Sequence, residues 1–144
     1  MNQFYVKQFP SLTTEAINGA NLQNHLLELI YTSWDLADFA ESLSYLGAPF
    51  RWDLDRRAQL RAEIDAAVFK YLKLDRSEVS HVLDAFPIVE RSDTSEFGRY
   101  RTKELILDAY DRMTTATKAG VPYESQIDPP PADPSLAHPL SASR

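Results

Sequence analysis

The chain has 144 residues, enough for one domain with a core that stands without staples, and its 44% hydrophobic and 25% charged residues exclude global disorder. It has no cysteine, so it can form no disulfide, thiol nucleophile or Cys-ligated zinc site. A net charge of −6 argues against a free-standing, non-specific DNA binder, whose surface should be basic overall.

Residues 1–20 read as an arm. The stretch FYVKQFP alternates aromatic and polar residues and ends at Pro10, which predicts a short strand. A lone strand cannot satisfy its own ladder bonds, so it would pair outside the chain or lie along the helices. The opening MNQFYVKQFP lacks the basic-then-apolar layout of a secretory leader. No apolar run reaches the roughly 18 residues of a membrane span, so a cytoplasmic setting is expected.

Residues 21–119 carry helical periodicity. Leu22, Leu26, Leu29 and Ile30 recur at helical spacing, and Trp34, Ala37, Phe39 and Leu43 continue it after a break near Thr32 and Ser33. Gly47 and Pro49 are expected to stop this helix. Asp53 is placed to cap the strongest helix, about 54–72, with Leu60, Ile64, Ala67, Val68, Tyr71 and Leu72 on one stripe. Arg56, Arg57 and Glu63 fall off that stripe. Asp75, three residues before Glu78, suggests a capping box for a short helix carrying Val79, Val82, Leu83 and Phe86, which Pro87 ends. The stretch IVERSDTS then reads as a polar loop, and Ser95 as the cap of a last helix at roughly 96–117.

Residues 120–144 hold six of the nine prolines and few large apolar side chains. Proline lacks the donor that a helix needs, so this tail is expected to be extended, polyproline-like or disordered. The fold class is therefore mainly α: a small bundle of four to five helices between a short N-terminal strand and a Pro-rich tail.

The sequence carries no recognisable catalytic constellation. The four glycines, 19, 47, 98 and 120, are too scattered to cradle a phosphate, and no G-x-S-x-G elbow occurs. His25, His81 and His138 lack metal-ligand spacing and are read as surface or capping residues. No lysine has the acid two residues before it that a PD-(D/E)-x-K nuclease requires. The D-P-P-P of Asp128–Pro131 differs from the D-P-P-Y of adenine-N6 methyltransferases in lacking the ring that stacks on a flipped base, so it reads as extended tail. An independent small enzyme has no motif in its support.

What remains is local charge. Residues 51–76 hold seven Lys or Arg against five Asp or Glu, which supplies a basic face despite the acidic total. On the last helix Ile106, Ala109, Tyr110 and Met113 centre the apolar stripe. Arg101, Asp108 and Arg112 fall opposite, and Tyr100 and Lys103 take the shoulder, where rings and stems can pack while their tips reach out. Glu104, Asp108 and Asp111 beside Arg101 and Arg112 are expected to form exposed pairs along the helix.

Five stretches in order, FYVKQFP, ELIYTSWDLADFA, PFRWDLDRRAQLRAEIDAAVFKYLKLDRSEVSHVLDAFPIVER, GRYRTKELILDAYDRM and PYESQIDPPPADP, resemble the C-terminal end of large type II/IIG-like restriction–modification proteins that carry an adenine-N6 DNA methyltransferase. The likeness spans about residues 3–138. Where the family reads G-E-Y-R-T-K, this chain has Arg99 at the acidic position, which leaves Tyr100, Arg101 and Lys103 matching. The resemblance implies a fragment or separately expressed module without catalytic parts. S-adenosylmethionine would bind only upstream in a parent protein, where the N-terminal strand would complete the target-recognition region. The resulting expectation is a non-enzymatic module that supports target recognition and contacts DNA backbone through Arg56, Arg57, Arg61, Tyr100, Arg101 and Lys103, with no metal. Its partners would be DNA and the methyltransferase or target-recognition domains, not a membrane. The competing expectation is a helical protein-interaction or self-association module that does not touch DNA.

Overall fold

The computed structural model describes residues 22–140, and the strand expected at FYVKQFP lies outside them. Six α-helices form among the described residues: α1 Gln23–Ile30, α2 Ala37–Ser42, α3 Leu54–Tyr71, α4 Arg76–Asp84, α5 Pro87–Phe97 and α6 Arg101–Ala119. The expected mainly α bundle is what the chain builds, with two short 3-10 turns, Trp34–Leu36 and Pro134–Leu136, and no strand among the described residues.

Local chemistry sets several helix boundaries. The Asp53 carboxylate accepts from the Arg56 amide and starts α3, and Asp75 with Glu78 forms the complete capping box of α4. Gly98 and Gly120 end α5 and α6 with φ of 72° and 69°, a left-handed conformation in which a side chain would be strained. The helix before Gly47 stops earlier than expected. Ser44 turns left-handed at φ 63°, and the Tyr45 amide folds back onto the Ala40 carbonyl. Gly47 has another use, since a Cβ there would run into the Tyr45 ring.

The α3–α6 pair is the spine. Ala62, Ala66 and Ala109 are buried between the two helices, and such small residues let helix axes approach closely. Ile106, Tyr110 and Met113 of α6 complete this core as the periodicity predicts, together with Val79 and Leu83 of α4. On α3 the buried face is rotated from its expected stripe. Leu60 and Ala67 are buried as predicted, but so are Ala62, Glu63 and Ala66, while Tyr71 and Leu72 are exposed. α3 is covered by α6 and by α1, so its buried arc is set by two neighbours at once.

IVERSDTS is a correction. These residues lie in α5, not in a loop, because Pro87 occupies the first helical position, where its missing N–H is no loss. α5 buries no residue fully, so it carries no apolar stripe to betray it. The start of α6 shifts accordingly from the expected Ser95 to Arg101, and its cap comes through space: Asp93 Oδ2 on α5 accepts from the Thr102 amide at 2.6 Å.

A second, smaller core joins Leu27, Tyr31, Ala40 and Phe50, and the C-terminal strap packs on it through Leu136 and Ala137. Phe50 and Ala137 form an isolated antiparallel bridge, flanked by Arg51 N–H to Leu136 O at 3.0 Å and His138 N–H to Pro49 O at 2.8 Å. Residues 121–140 are thus irregular and proline-rich but lie fastened along the bundle. Ile127 is buried and the Asp128–Pro129 peptide is cis.

Candidate functional site

The six residues expected to contact DNA do not form one patch. Arg56 grips Glu28 with two nitrogens and also donates to the Pro130 carbonyl at 3.0 Å, which leaves its side chain 11% exposed. Glu28 in turn accepts from the Ala132 amide at 2.8 Å, so this pair holds the strap onto α1 and α3. Arg57 donates to the Leu29 carbonyl at 3.0 Å and stacks 3.6 Å over the Trp52 ring. Burial, with Arg61 close by, lowers the pKa of the Arg57 guanidinium from its ordinary value.

Tyr100 and Lys103 both turn to α4. The Tyr100 hydroxyl donates to the Leu83 carbonyl at 3.0 Å, and Lys103 Nζ pairs with Asp84 at 2.5 Å. Burial, aided by Asp93, Glu90 and Asp84, raises the Tyr100 phenol above its usual pKa. Arg101, expected on the solvent face, is largely covered, paired with Asp55 at 2.8 Å and stacked 4.7 Å from the Phe97 ring. Arg61 is exposed and faces Asp65 one turn on. Of the pairs expected along α6, Arg112–Asp108 forms at 3.3 Å, whereas Asp111 reaches across to Arg76 on α4.

Arg61 and Arg101 do share a feature that the sequence left unseen, a groove of about 920 Å³. It opens because α5 packs chiefly on α6 and stands away from α3. Thr102, Leu105 and Ile106 of α6 line its floor with Ala58 and Ala62 of α3. Trp52, Leu54, Val89 and Phe97 form apolar walls, with Leu54 72% and Trp52 60% exposed. Five carboxylates, Asp53, Asp55, Asp65, Asp93 and Glu96, surround them against the two guanidinium groups. The rim is acidic, the reverse of what a phosphate backbone requires.

A second site missed from sequence lies inside the bundle. Glu63, expected off the stripe, is 1% exposed, and His25, expected at the surface, is 3% exposed. The two side chains meet inside the bundle, with His25 Nε2 2.5 Å from Glu63 Oε2. The Tyr123 hydroxyl from the strap donates to Glu63 Oε1 at 2.6 Å, and Arg112 stands 3.8 Å away. Burial would raise the Glu63 carboxyl, but hydrogen bonds from His25, Tyr123 and Ser125 outweigh it and hold the pKa below its ordinary value. Burial and the bond to Glu63 push the Tyr123 phenol well above its usual range. A carboxylate only accepts, so Nε2 carries the imidazole proton, and the buried Nδ1 has no partner.

His25 borders a cavity of about 280 Å³ shared with Asn24, Tyr123, Ser125 and the prolines 130 and 131. Chemically this network is a latch between α1, α3 and the strap. Among the described residues no three His, Asp or Glu converge to hold a metal ion.

Comparison with protein-family models, with curated proteins and with solved structures finds no match. No helix among the described residues is long and apolar enough to cross a membrane.

Proposed function

We propose that this chain is a non-catalytic helical protein-docking module. On the strength of the sequence resemblance, its partner is a methyltransferase or target-recognition domain of a restriction–modification protein in the cytoplasm, with S-adenosylmethionine bound elsewhere in that assembly. The observation that carries the reading is the use of the candidate DNA contacts within the fold. Five of the six, Arg56, Arg57, Tyr100, Arg101 and Lys103, bind groups of this chain. Turning Arg56 to a phosphate would strand Glu28 as a buried, unpaired charge. Exposed apolar side chains at Trp52 and Leu54 supply a surface suited to another protein.

The second reading, contact with DNA backbone, rests on Arg61, which is exposed on α3. Fluorescence anisotropy with a short DNA duplex at about 50 and 200 mM salt separates the two, because counterion release makes phosphate binding steeply salt-dependent. Absence of binding at the lower salt supports docking. Binding that collapses at the higher salt overturns it in favour of DNA contact.

A further inference from the structure

We infer that the groove between α3, α5 and α6 is the docking surface, and that it receives a basic amphipathic helix of a partner protein; the inference rests on the docking reading above. The groove combines two features that such a helix meets at once. Its walls and floor are apolar at Leu54, Val89, Phe97 and Leu105, matching an apolar stripe repeating every three to four residues. Its rim carries five carboxylates against Arg61, which faces Asp65, and Arg101, which pairs with Asp55, so three negative charges are in excess. A lysine- or arginine-bearing flank would find counter-charges there, and a neutral or acidic helix would not.

The shape agrees with the charge. α3 and α5 are both seated on α6 with a gap between them, so a helix laid in that gap would meet helical neighbours on three sides. Two other occupants fit less well. A second copy of this chain brings a net charge of −6 to an already acidic rim. Residues 1–21 contain one lysine, Lys7, and one acid, Glu15, so their side chains offer no net positive charge.

The test uses the full chain and a synthetic Leu/Lys amphipathic peptide of about five helical turns, with a Leu/Glu peptide of the same pattern as control. A Trp34→Phe background leaves Trp52, at the groove wall, as the only indole reporter. The expected result is a shift of Trp52 emission and calorimetric heat with the Leu/Lys peptide, weakening as salt rises, and neither with Leu/Glu. Asp65→Lys/Glu96→Lys should weaken binding at least about tenfold. Leu54→Asp, at an exposed wall position, should do the same while circular dichroism matches the parent protein. No response to the Leu/Lys peptide, or equal affinity for the parent and both variants, overturns the groove assignment. The DNA titration judges the docking reading separately, so a silent peptide with no DNA binding removes only the groove.

Discussion

His25 Nε2 and Glu63 Oε2 meet at 2.5 Å with both side chains closed off from water, and Tyr123 from the C-terminal strap closes the other carboxylate oxygen. A buried carboxylate with two close donors ties three parts of the chain to one atom group. Its partners would be orphaned by its loss, which makes Glu63 a sensitive polar position. Glu63→Ala is expected to destabilise by about 2–6 kcal/mol, since two buried donors, each costing about 1–3 kcal/mol when unsatisfied, lose their acceptor. Tyr123→Phe keeps the ring and should lose only about 1.5–3 kcal/mol, the range for a hydrogen bond to a charged group. Urea unfolding followed by circular dichroism measures both; equal, sub-kilocalorie losses would contradict the latch.

The same site sets an acid limb to stability. Glu63 has a folded pKa below its unfolded value, so its contribution is complete above the unfolded value of about 4.3 and is lost as pH falls through the folded one. Tyr123 works in the other direction. Its folded pKa is raised, so its contribution is complete below the unfolded value of about 10 and declines as pH rises further. Melting temperatures across pH should therefore fall at both ends. Glu63→Gln should flatten the acid limb and Tyr123→Phe the alkaline one. Unchanged limbs in these variants would place the titration elsewhere.

Arg56 is expected to tolerate no conservative change. Its fork spans both oxygens of Glu28 while a further contact reaches Pro130, a planar geometry that an ammonium cannot copy. Arg56→Lys should lose about 1.5–3 kcal/mol and speed protease cleavage of the strap near Ala132, whose amide shares Glu28. Cleavage at the parent rate would show that the strap is held without this pair.

The capping box gives a local control. Asp75→Ala removes the acceptor for the Glu78 amide and should cost about 0.5–2 kcal/mol, chiefly by fraying α4. Amide hydrogen exchange should rise in the first turn of α4 and leave the His25–Glu63 site protected. Protection lost equally at both places would mean that α4 and the latch unfold together.

Much of this fold was legible in sequence because its signals are local. Asp53 and Asp75 announce α3 and α4 through a side chain reaching its own helix three residues on, and Ile106, Ala109, Tyr110 and Met113 announce the buried face of α6 through period alone. α5 was not legible, since it buries no full stripe and begins at a proline that also reads as a stop. The six candidate contact residues were visible as charges and a ring, but not as neighbours or partners.

The sequence by itself determined the helical class, several helix ends and the apolar face of α6, all consequences of spacing within about one turn. Only the tertiary structure decided that His25 lies against Glu63 across 38 positions, that the strap reaches back to Glu28 across 104, and that α5 stands away from α3 to leave a groove. Glu63 shows why. A carboxylate on a helix surface reads as solvent-facing until a second helix and the strap cover it, and burial becomes tolerable only because they bring their own donors.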